Sequence, residues 1–342
     1  MRALVAVLCL WGGAAAAECD VTHRVQAGDT LRGLAEHYYE GDGNWQAIYY
    51  ANLPKIGADQ TLAVGTELFI PCLAAEKTVL KQVEGLEARP TPLLQAGAGV
   101  TVLAMADNAP YSAEGWLGGG MVTELVTAAL ENAPKPEPYD LAWAPDRDSW
   151  RAQLSTAQAD FGLAGFRPDC QSAGAEGGCA AYHWSDPVLD VAMVLFSRVD
   201  APLEYETDED LEGRILCRPK GLPVTDLERP ERPLLSAGGV RLVQPRLLSD
   251  CLELLMMAQV DAVSVDEFSG WLAVYRGGFE DRIGAVATPT SSESLRVAIP
   301  KQHWRATAQL YRVNAGLEKI HASGEYEAIL QSQLAFFWAQ LN

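Results

Sequence analysis

From residue 100 onward, short apolar runs alternate with stretches whose apolar residues recur every three to four positions. Val100-Thr101-Val102-Leu103-Ala104 predicts a buried strand. Met121 to Leu130 predicts a helix with Val122, Leu125, Val126 and Ala129 on one face, and Asp140 to Trp143 a second strand. Trp150 to Ala157 predicts a helix that delivers Ala157-Gln158-Ala159-Asp160-Phe161-Gly162-Leu163-Ala164-Gly165-Phe166, a turn at Asp160 followed by a buried strand. A βαβαβ succession of this kind predicts a parallel sheet with right-handed crossovers.

The same pattern returns about a hundred residues on. The helical stretch Leu252 to Met257 leads into Ala258-Gln259-Val260-Asp261-Ala262-Val263-Ser264-Val265-Asp266. Between the two copies, Asp169 to Tyr182 is read as an irregular loop. Val191 to Ser197 is read as a long strand of the kind that crosses between lobes. Leu211 to Cys217 then opens a second α/β lobe, and Pro219 to Asp226 is a loop that ends near a helix start. Val240 to Val243 is a strand and Ser249 to Ala258 a helix. Phe268 to Tyr275 is a further helix, Ser294 to Ile299 a strand that crosses back, and Trp304 to Ala322 and Tyr326 to Trp338 are terminal helices. The expected architecture is α/β with two lobes, the first about residues 100–190 and 295–342, the second about 198–290. Ligands in open α/β sheets sit beyond the carboxyl ends of the strands, so the two echoed strands are expected to open on a shared cleft.

The amino-terminal part patterns differently. Met1 to Ala17 has a thin positive start at Arg2, an apolar run Leu4 to Trp11 and an A-x-A site at Ala14 to Ala17, the form of a secretory signal cleaved before Glu18. Thr22 to Gln26 alternates as a strand. Ala27-Gly28-Asp29-Thr30 is a turn that also caps a helix carrying Leu31, Leu34, Ala35 and Tyr38. Gly41-Asp42-Gly43 ends that helix, Asn44 starts a second with Trp45, Ile48 and Tyr49, and Thr66 to Pro71 is a closing strand. The order is βααβ, an α+β module spanning residues 18–73. Residues 74–99, with Pro90, Pro92 and Gly97, read as a linker to the unit 100–342.

The formal net charge of −19 disfavours nucleic acid and anionic membrane surfaces as partners. Of seven cysteines, Cys9 leaves with the signal and six remain. An even number in an exported chain predicts disulfides. Grouping by segment pairs Cys19 with Cys72, Cys170 with Cys179, and Cys217 with Cys251. No C-x-x-C pair accompanies them, so no metal site is expected. The five histidines stand in no motif, and no G-x-S-x-G, H-E-x-x-H or Walker loop is present. No cofactor is expected, and the chain is read as a binder, not an enzyme.

Val25-Gln26-Ala27-Gly28-Asp29-Thr30-Leu31, Tyr38-Tyr39, Trp45-Gln46-Ala47-Ile48-Tyr49, Asn52, Ile56 and Gly65-Thr66-Glu67-Leu68-Phe69-Ile70-Pro71 together resemble a LysM domain. That resemblance implies binding to N-acetylglucosamine polymers, mainly peptidoglycan. The implied groove lies at Gly28, Asp29, Thr30 and Leu31 and at the loop from Asn52 to Ile56. Gly119 to Leu125, Ala159 to Gly165, Ser185-Asp186-Pro187, Leu211-Glu212-Gly213-Arg214, Val260 to Val263 and Gly324-Glu325-Tyr326 resemble, in order and spacing, the family 3 extracellular solute-binding proteins. The likeness implies a two-lobed periplasmic-binding-protein-like fold that captures a small polar solute, amino-acid-like or wall-derived, and serves an ABC permease. Tyr111 falls where the family sets an aromatic against the ligand. Asp266 falls where a carboxylate holds the ligand's ammonium, and as a residue in its own right it caps the helix from Phe268. The loop Gly221 to Thr225 falls where backbone amides and a hydroxyl receive an anionic group. The family's carboxylate-gripping arginine is replaced by Cys170, and Arg167 is the nearest substitute.

The expected protein is therefore exported to the periplasm and wall-associated through its LysM module. The alternatives are a wall-bound sensor or scaffold without a transport role, and a small-molecule lyase of the same fold.

Overall fold

In a computed structural model, residues 21–39, 48–49, 51–52, 55–56, 62–70, 99–167 and 176–341 are described. The expected signal, the linker up to residue 98, and Cys19, Cys72 and Cys170 lie outside these. The chain divides into two compact units, residues 1–75 and 76–342.

In the smaller unit, β1 (Val21–Arg24) pairs antiparallel with β2 (Glu67–Ile70), with Val21 opposite Ile70. Helix α1 (Leu31–Tyr39) buries Leu31, Leu34 and Ala35. Residues 48, 49 and 51 are helical, and Ile48 and Ile56 join the core. This is the expected two-stranded frame with helices packed on it.

The larger unit is built on one curled sheet of ten strands. Three parallel strands stand at one end: β3 (Val100–Met105), β6 (Tyr139–Ala144) and β7 (Phe161–Phe166). Between β3 and β6 come a small hairpin, β4 (Asp107–Asn108) and β5 (Ser112–Ala113), and helix α2 (Met121–Asn132). Helix α3 (Arg147–Ser155) joins β6 to β7, and α4 (Glu176–Ala181) with β8 (Tyr182–Trp184) follows β7. Strand β9 (Leu189–Arg198) then crosses to the second half.

There, β10 (Ile215–Cys217) leads to a two-stranded hairpin, β11 (Glu228–Arg229) with β12 (Arg232–Pro233). Strand β13 (Arg241–Val243), helix α5 (Leu248–Met256), β14 (Ala262–Asp266), α6 (Glu267–Arg276) and β15 (Ile283–Ala285) complete it. Strand β16 (Ser291–Pro300) crosses back, and α7 (Ala306–Ser323) and α8 (Glu325–Ala339) pack on α2.

The sheet order is β13-β10-β14-β9-β16-β7-β3-β6. The two echoed strands, expected in separate lobes, thus share one hydrogen-bonded sheet. The reason lies in the two ten-residue crossing strands. They pair with each other from Leu189 to Met193, and β9 continues onto β14 while β16 continues onto β7. Each half still has its own core. In the second, Phe196, Cys217, Leu252, Val263 and Val265 fill one face of the sheet and Leu195, Leu216 and Ala262 the other. Near-continuous apolar strands follow from burial on both faces.

The repeat in the sequence is a repeat in the structure. Helix α3 ends with Ala157 in a left-handed conformation and α5 ends with Ala258 likewise. The amides of Gln158 and Gln259 reach back to the carbonyls of Gln153 and Leu254, 3.0 and 2.9 Å, the helix-ending bond of a Schellman motif. Asp160 then accepts a bond from the Thr101 amide at 2.8 Å, and Asp261 from the Ile215 amide at 2.7 Å. Each aspartate fastens the start of its strand to the first strand of its half. These aspartates stand at the amino ends of the strands, so the echo marks the frame of each half and the candidate site lies at the other end.

Cys217 on β10 and Cys251 on α5 form a disulfide, as the spacing predicted. Cys179 is disulfide-bonded; its expected partner, Cys170, lies outside the described residues. Two elements differ from expectation. Residues 176–181 form a short helix that Gly177 and Gly178 disguise. After Asp226 the chain makes a turn and the β11–β12 hairpin instead of a helix, because Pro230 and Pro233 cannot continue one.

Candidate functional site

The larger unit brings its charged and aromatic groups together at the carboxyl ends of the parallel strands. Beyond β3, the loop 106–120 holds Tyr111. Ser112 Oγ accepts from the Met105 amide and donates to its carbonyl, closing the loop on its own strand. The Tyr111 carbonyl accepts from the Val122 amide at 2.9 Å, at the start of α2. Gly120, at φ 102°, lies so close that a Cβ there would meet Tyr111 backbone atoms at 2.7 Å. The Gly118-Gly119-Gly120 run therefore exists to let this loop fold onto the helix start.

Beyond β14, Asp266 caps α6 by accepting from the Ser269 amide at 2.9 Å. It also accepts from Tyr111 Oη, which comes from the other half. The Tyr111 ring stands edge-on to Phe268, centroids 6.4 Å apart, and Phe268 is edge-on to Phe337. Tyr111 and Asp266 are both buried. Burial pushes the Asp266 carboxyl up from its ordinary value, while the Tyr111 and Ser269 bonds pull it down. Asp266 is thus the cap of α6, as one of its two readings expected, and its carboxylate is also bonded from the other half. The two halves touch directly here, with the aromatic and the carboxylate bonded to each other.

Beyond β10, Arg218 is fully buried and fixes the loop 219–226. Its guanidinium pairs with Asp226 and donates to the Pro223 carbonyl at 2.7 Å and to Ser264 Oγ at 2.6 Å. Thr225 is half-buried in this loop, and its carbonyl accepts from Arg229 Nε at 2.7 Å. With no helix starting after Asp226, the loop lacks the helix-start amides that the resemblance implied for an anion. Arg229 also pairs with Glu293 on β16, tying the hairpin to the crossing strand. Burial raises the Glu293 carboxyl, and the Arg229 charge opposes that.

Beyond β6 stands a group the sequence reading missed. Arg147, the first residue of α3, points at the second half: its Cδ would lie 3.7 Å from a Cβ placed on Gly221. Desolvation is the main cause that lowers the Arg147 pKa, Arg151 adds to it, and the charge of Asp266 opposes it. One turn on, Arg151 donates to the Gly221 carbonyl at 3.2 Å. A signal was present. A cation in the first turn of a helix works against the helix dipole, so an arginine there has a reason beyond the helix. Arg167 is exposed at the end of β7, where its charge acts on Arg296.

A concavity of about 530 Å³ opens elsewhere on the second half, lined by Glu204, Glu209, Asp210, Arg214 and Asp261 among others. Two of its carboxylates are already used: Asp210 accepts from the Glu206 and Thr207 amides and Asp261 from that of Ile215. No group of three or more His, Cys, Asp or Glu among the described residues is placed to hold a metal.

In the smaller unit, Asp29 accepts from the Gln26 amide at 2.7 Å and bonds His23 Nε2 at 2.8 Å. The Gln26 bond is the larger cause that holds its carboxyl below the ordinary value, with His23 second. Thr30 Oγ1 caps α1 by accepting from the Gly33 amide at 3.0 Å. Asn52 donates to the Ile48 and Phe69 carbonyls and accepts from the Phe69 amide, so its side chain staples a helix to β2. Leu31 and Ile56 are core residues. At the expected groove, then, Asn52, Leu31 and Ile56 turn their side chains to the interior. Gly28, at φ 97°, and Thr30 are exposed, and Asp29 is partly exposed.

Residues 23–71 match the LysM domain family. No curated protein matches the chain significantly. Solved structures match its fold. ArgBP from T. maritima, in a mutant form, aligns with TM-score 0.52 at 19% identity over 75% of this chain and 99% of that one. The amino acid ABC transporter substrate-binding protein AbpA of Streptococcus pneumoniae, bound to L-arginine, aligns with TM-score 0.53 at 18% identity over 71% and 96%. A periplasmic VFT2 domain of BvgS from Bordetella pertussis aligns with TM-score 0.51 at 16% identity over 75% and 98%. These neighbours include binding proteins. The chain thus carries a LysM domain at residues 23–71, followed by a unit with the two-lobed fold of the periplasmic solute-binding proteins.

Proposed function

We propose that this protein is an exported, wall-associated capture protein. Its LysM domain holds peptidoglycan, and the two halves of the larger unit close on a small polar solute. The observation that carries this reading is the meeting of Tyr111 and Asp266 at the carboxyl ends of strands from opposite halves. Groups that meet at the strand ends of two halves that crossing strands connect can form a clamp. A solute's cationic or hydroxyl group would take the place of the Tyr111 hydroxyl on Asp266, and Thr225 and Arg167 are the further residues that would meet it. Delivery to an ABC permease is the transport form of this function. The likeness to a histidine kinase sensor domain, at TM-score 0.52 and 20% identity, favours sensing as the second reading.

The test is a thermal-shift screen of the secreted chain against amino acids, small acids, amines and muropeptides, with isolated sacculi pelleted in parallel. The proposal expects one solute class to stabilise without being turned over, and deletion of residues 18–73 to release the protein from sacculi without altering that stabilisation. Turnover of the hit would instead make the cleft that of a lyase. A chain that no solute stabilises, or that still pellets after the deletion, contradicts the proposal. A solute that binds equally with and without a purified permease, but changes the affinity of another captured protein, selects sensing over transport.

A further inference from the structure

Resting on the clamp reading above, the structure carries a statement about the solute's charge. The chain is strongly acidic, at −19, yet where α3 faces the 219–225 loop the cations gather. Arg147 lies against Gly221 with its side chain largely out of solvent, and among the described residues no hydrogen bond or close ion pair holds its guanidinium. Arg151, one turn along the same helix, donates to the Gly221 carbonyl. Lys220 precedes that glycine, and its amide donates to Pro245 at 2.7 Å, which brings the next residue, Arg246, to the same mouth. The charge of Arg246 is felt by Asp146 across the gap.

Three carboxylates are near. Asp146 is occupied as the cap of α3, accepting from the Ser149 amide at 2.7 Å. Asp148 is exposed and stands 3.8 Å from Arg151. Asp266 is bonded by Tyr111 and Ser269, and its burial disfavours the charged form. None of them answers Arg147. Like charges one turn apart, at i and i+4, destabilise a helix, and a desolvated guanidinium without a partner is costly. A sequence keeps such an arrangement when something outside the helix offsets it.

We propose that the mouth between α3 and the 219–225 loop is an anion site held by Arg147 and Arg151, so the captured solute carries a carboxylate or a phosphate. An arginine fork bonds either group through two parallel N–H donors. Arg147 comes from one half and the Gly221 loop from the other, so an anion bridging them favours the closed form. The site takes over the anion contact that the missing helix start after Asp226 leaves undone.

The test uses the secreted chain with glutarate, L-glutamate and inorganic phosphate as anions, and agmatine, which lacks a carboxylate, and N-acetylglucosamine as controls. Melting temperatures of unliganded Arg147→Gln and Arg151→Gln are measured first. Arg151 is 53% exposed at its side chain, so its substitution is expected to leave the unliganded melting temperature unchanged. At least one anion is expected to stabilise the wild type saturably, and each substitution to weaken that anion by roughly 10- to 100-fold. Glutarate against phosphate decides which oxyanion fits. Stabilisation by agmatine or N-acetylglucosamine alone would overturn the anion site while leaving capture intact. An anion whose affinity neither substitution changes binds elsewhere, and that also overturns the inference. No shift with any of the five overturns it too, and the broad solute screen then judges capture separately.

Discussion

The bond from Tyr111 to Asp266 joins the two halves, and Tyr111→Phe removes it with little change of shape. Both residues are buried, Tyr111 to 2% exposure and Asp266 to 4%, so water does not replace the lost hydroxyl. A hydrogen bond to a charged acceptor contributes about 1.5–3 kcal/mol, and a neutral pair about 1. Asp266 is pushed toward its protonated form by burial, which places this bond at the lower end, about 1.5–2 kcal/mol. The Ser269 amide still caps through the same oxygen, so the loss is confined to the link between halves. For a unit of this size that corresponds to a fall in Tm of roughly 3–8 °C. Asp266→Ala costs more, because it also removes the cap of α6. A double-mutant cycle separates the two, since the cap is common to both of its Asp266 legs. Urea unfolding of the wild type, both single variants and the double variant should give a coupling of about 1.5–2 kcal/mol. The variant also shows a pH signature. A raised carboxyl pKa means that stability falls as pH rises from the ordinary value toward the folded one, and Tyr111→Phe steepens that fall. A coupling below about 0.5 kcal/mol would refute the direct link between the halves.

Three further outcomes follow from the frame. Gly316 on α7 lies where a Cβ would meet the Ala129 carbonyl oxygen at 1.9 Å; Gly316→Ala should destabilise by about 1–3 kcal/mol in urea unfolding, whereas a stabilised variant, as helix propensity alone predicts, would contradict the close approach of α7 to α2. Ala258→Gly should stabilise by about 1 kcal/mol, because the left-handed conformation at this helix end favours glycine; a loss of stability would refute that ending. Glu137 is held down to about 2, first by Arg312 and then by Arg305. The stability it contributes is present above the ordinary carboxylate value and lost as pH falls through the folded one. Glu137→Gln should therefore flatten the stability profile between about pH 4.5 and 2, and an unchanged acid limb would remove this network from the account.

Much of this was legible in the residues. The recurrence of Ala-Gln-x-Asp announced two equivalent halves, and the structure gives the reason: the same helix ending and the same aspartate fastener are needed wherever a helix turns back into a parallel strand. Tyr111 and Asp266 were singled out by the family resemblance, and the structure bonds one to the other. What the sequence concealed lies in loops whose geometry depends on the opposite half. Arg147 reads as an ordinary polar residue at a helix start until Gly221 is seen against it. Thr225 was expected before a helix, but Pro230 and Pro233 make a hairpin there, and those prolines were the available warning. Asn52 looks like a groove residue in sequence, yet its amide and carbonyl are all consumed inside the small unit. One sheet through both halves could not be foreseen, because apolar patterning does not reveal how far two crossing strands pair.

The central claim is that opposite halves grip one solute. Hydrogen exchange followed by mass spectrometry, with and without the solute that stabilises the chain most, tests it directly. The account predicts that amides in residues 106–120, 219–225 and 266–270 gain protection together, at one and the same solute concentration. Protection confined to one half, or a bound solute that leaves all three segments unchanged, would contradict it.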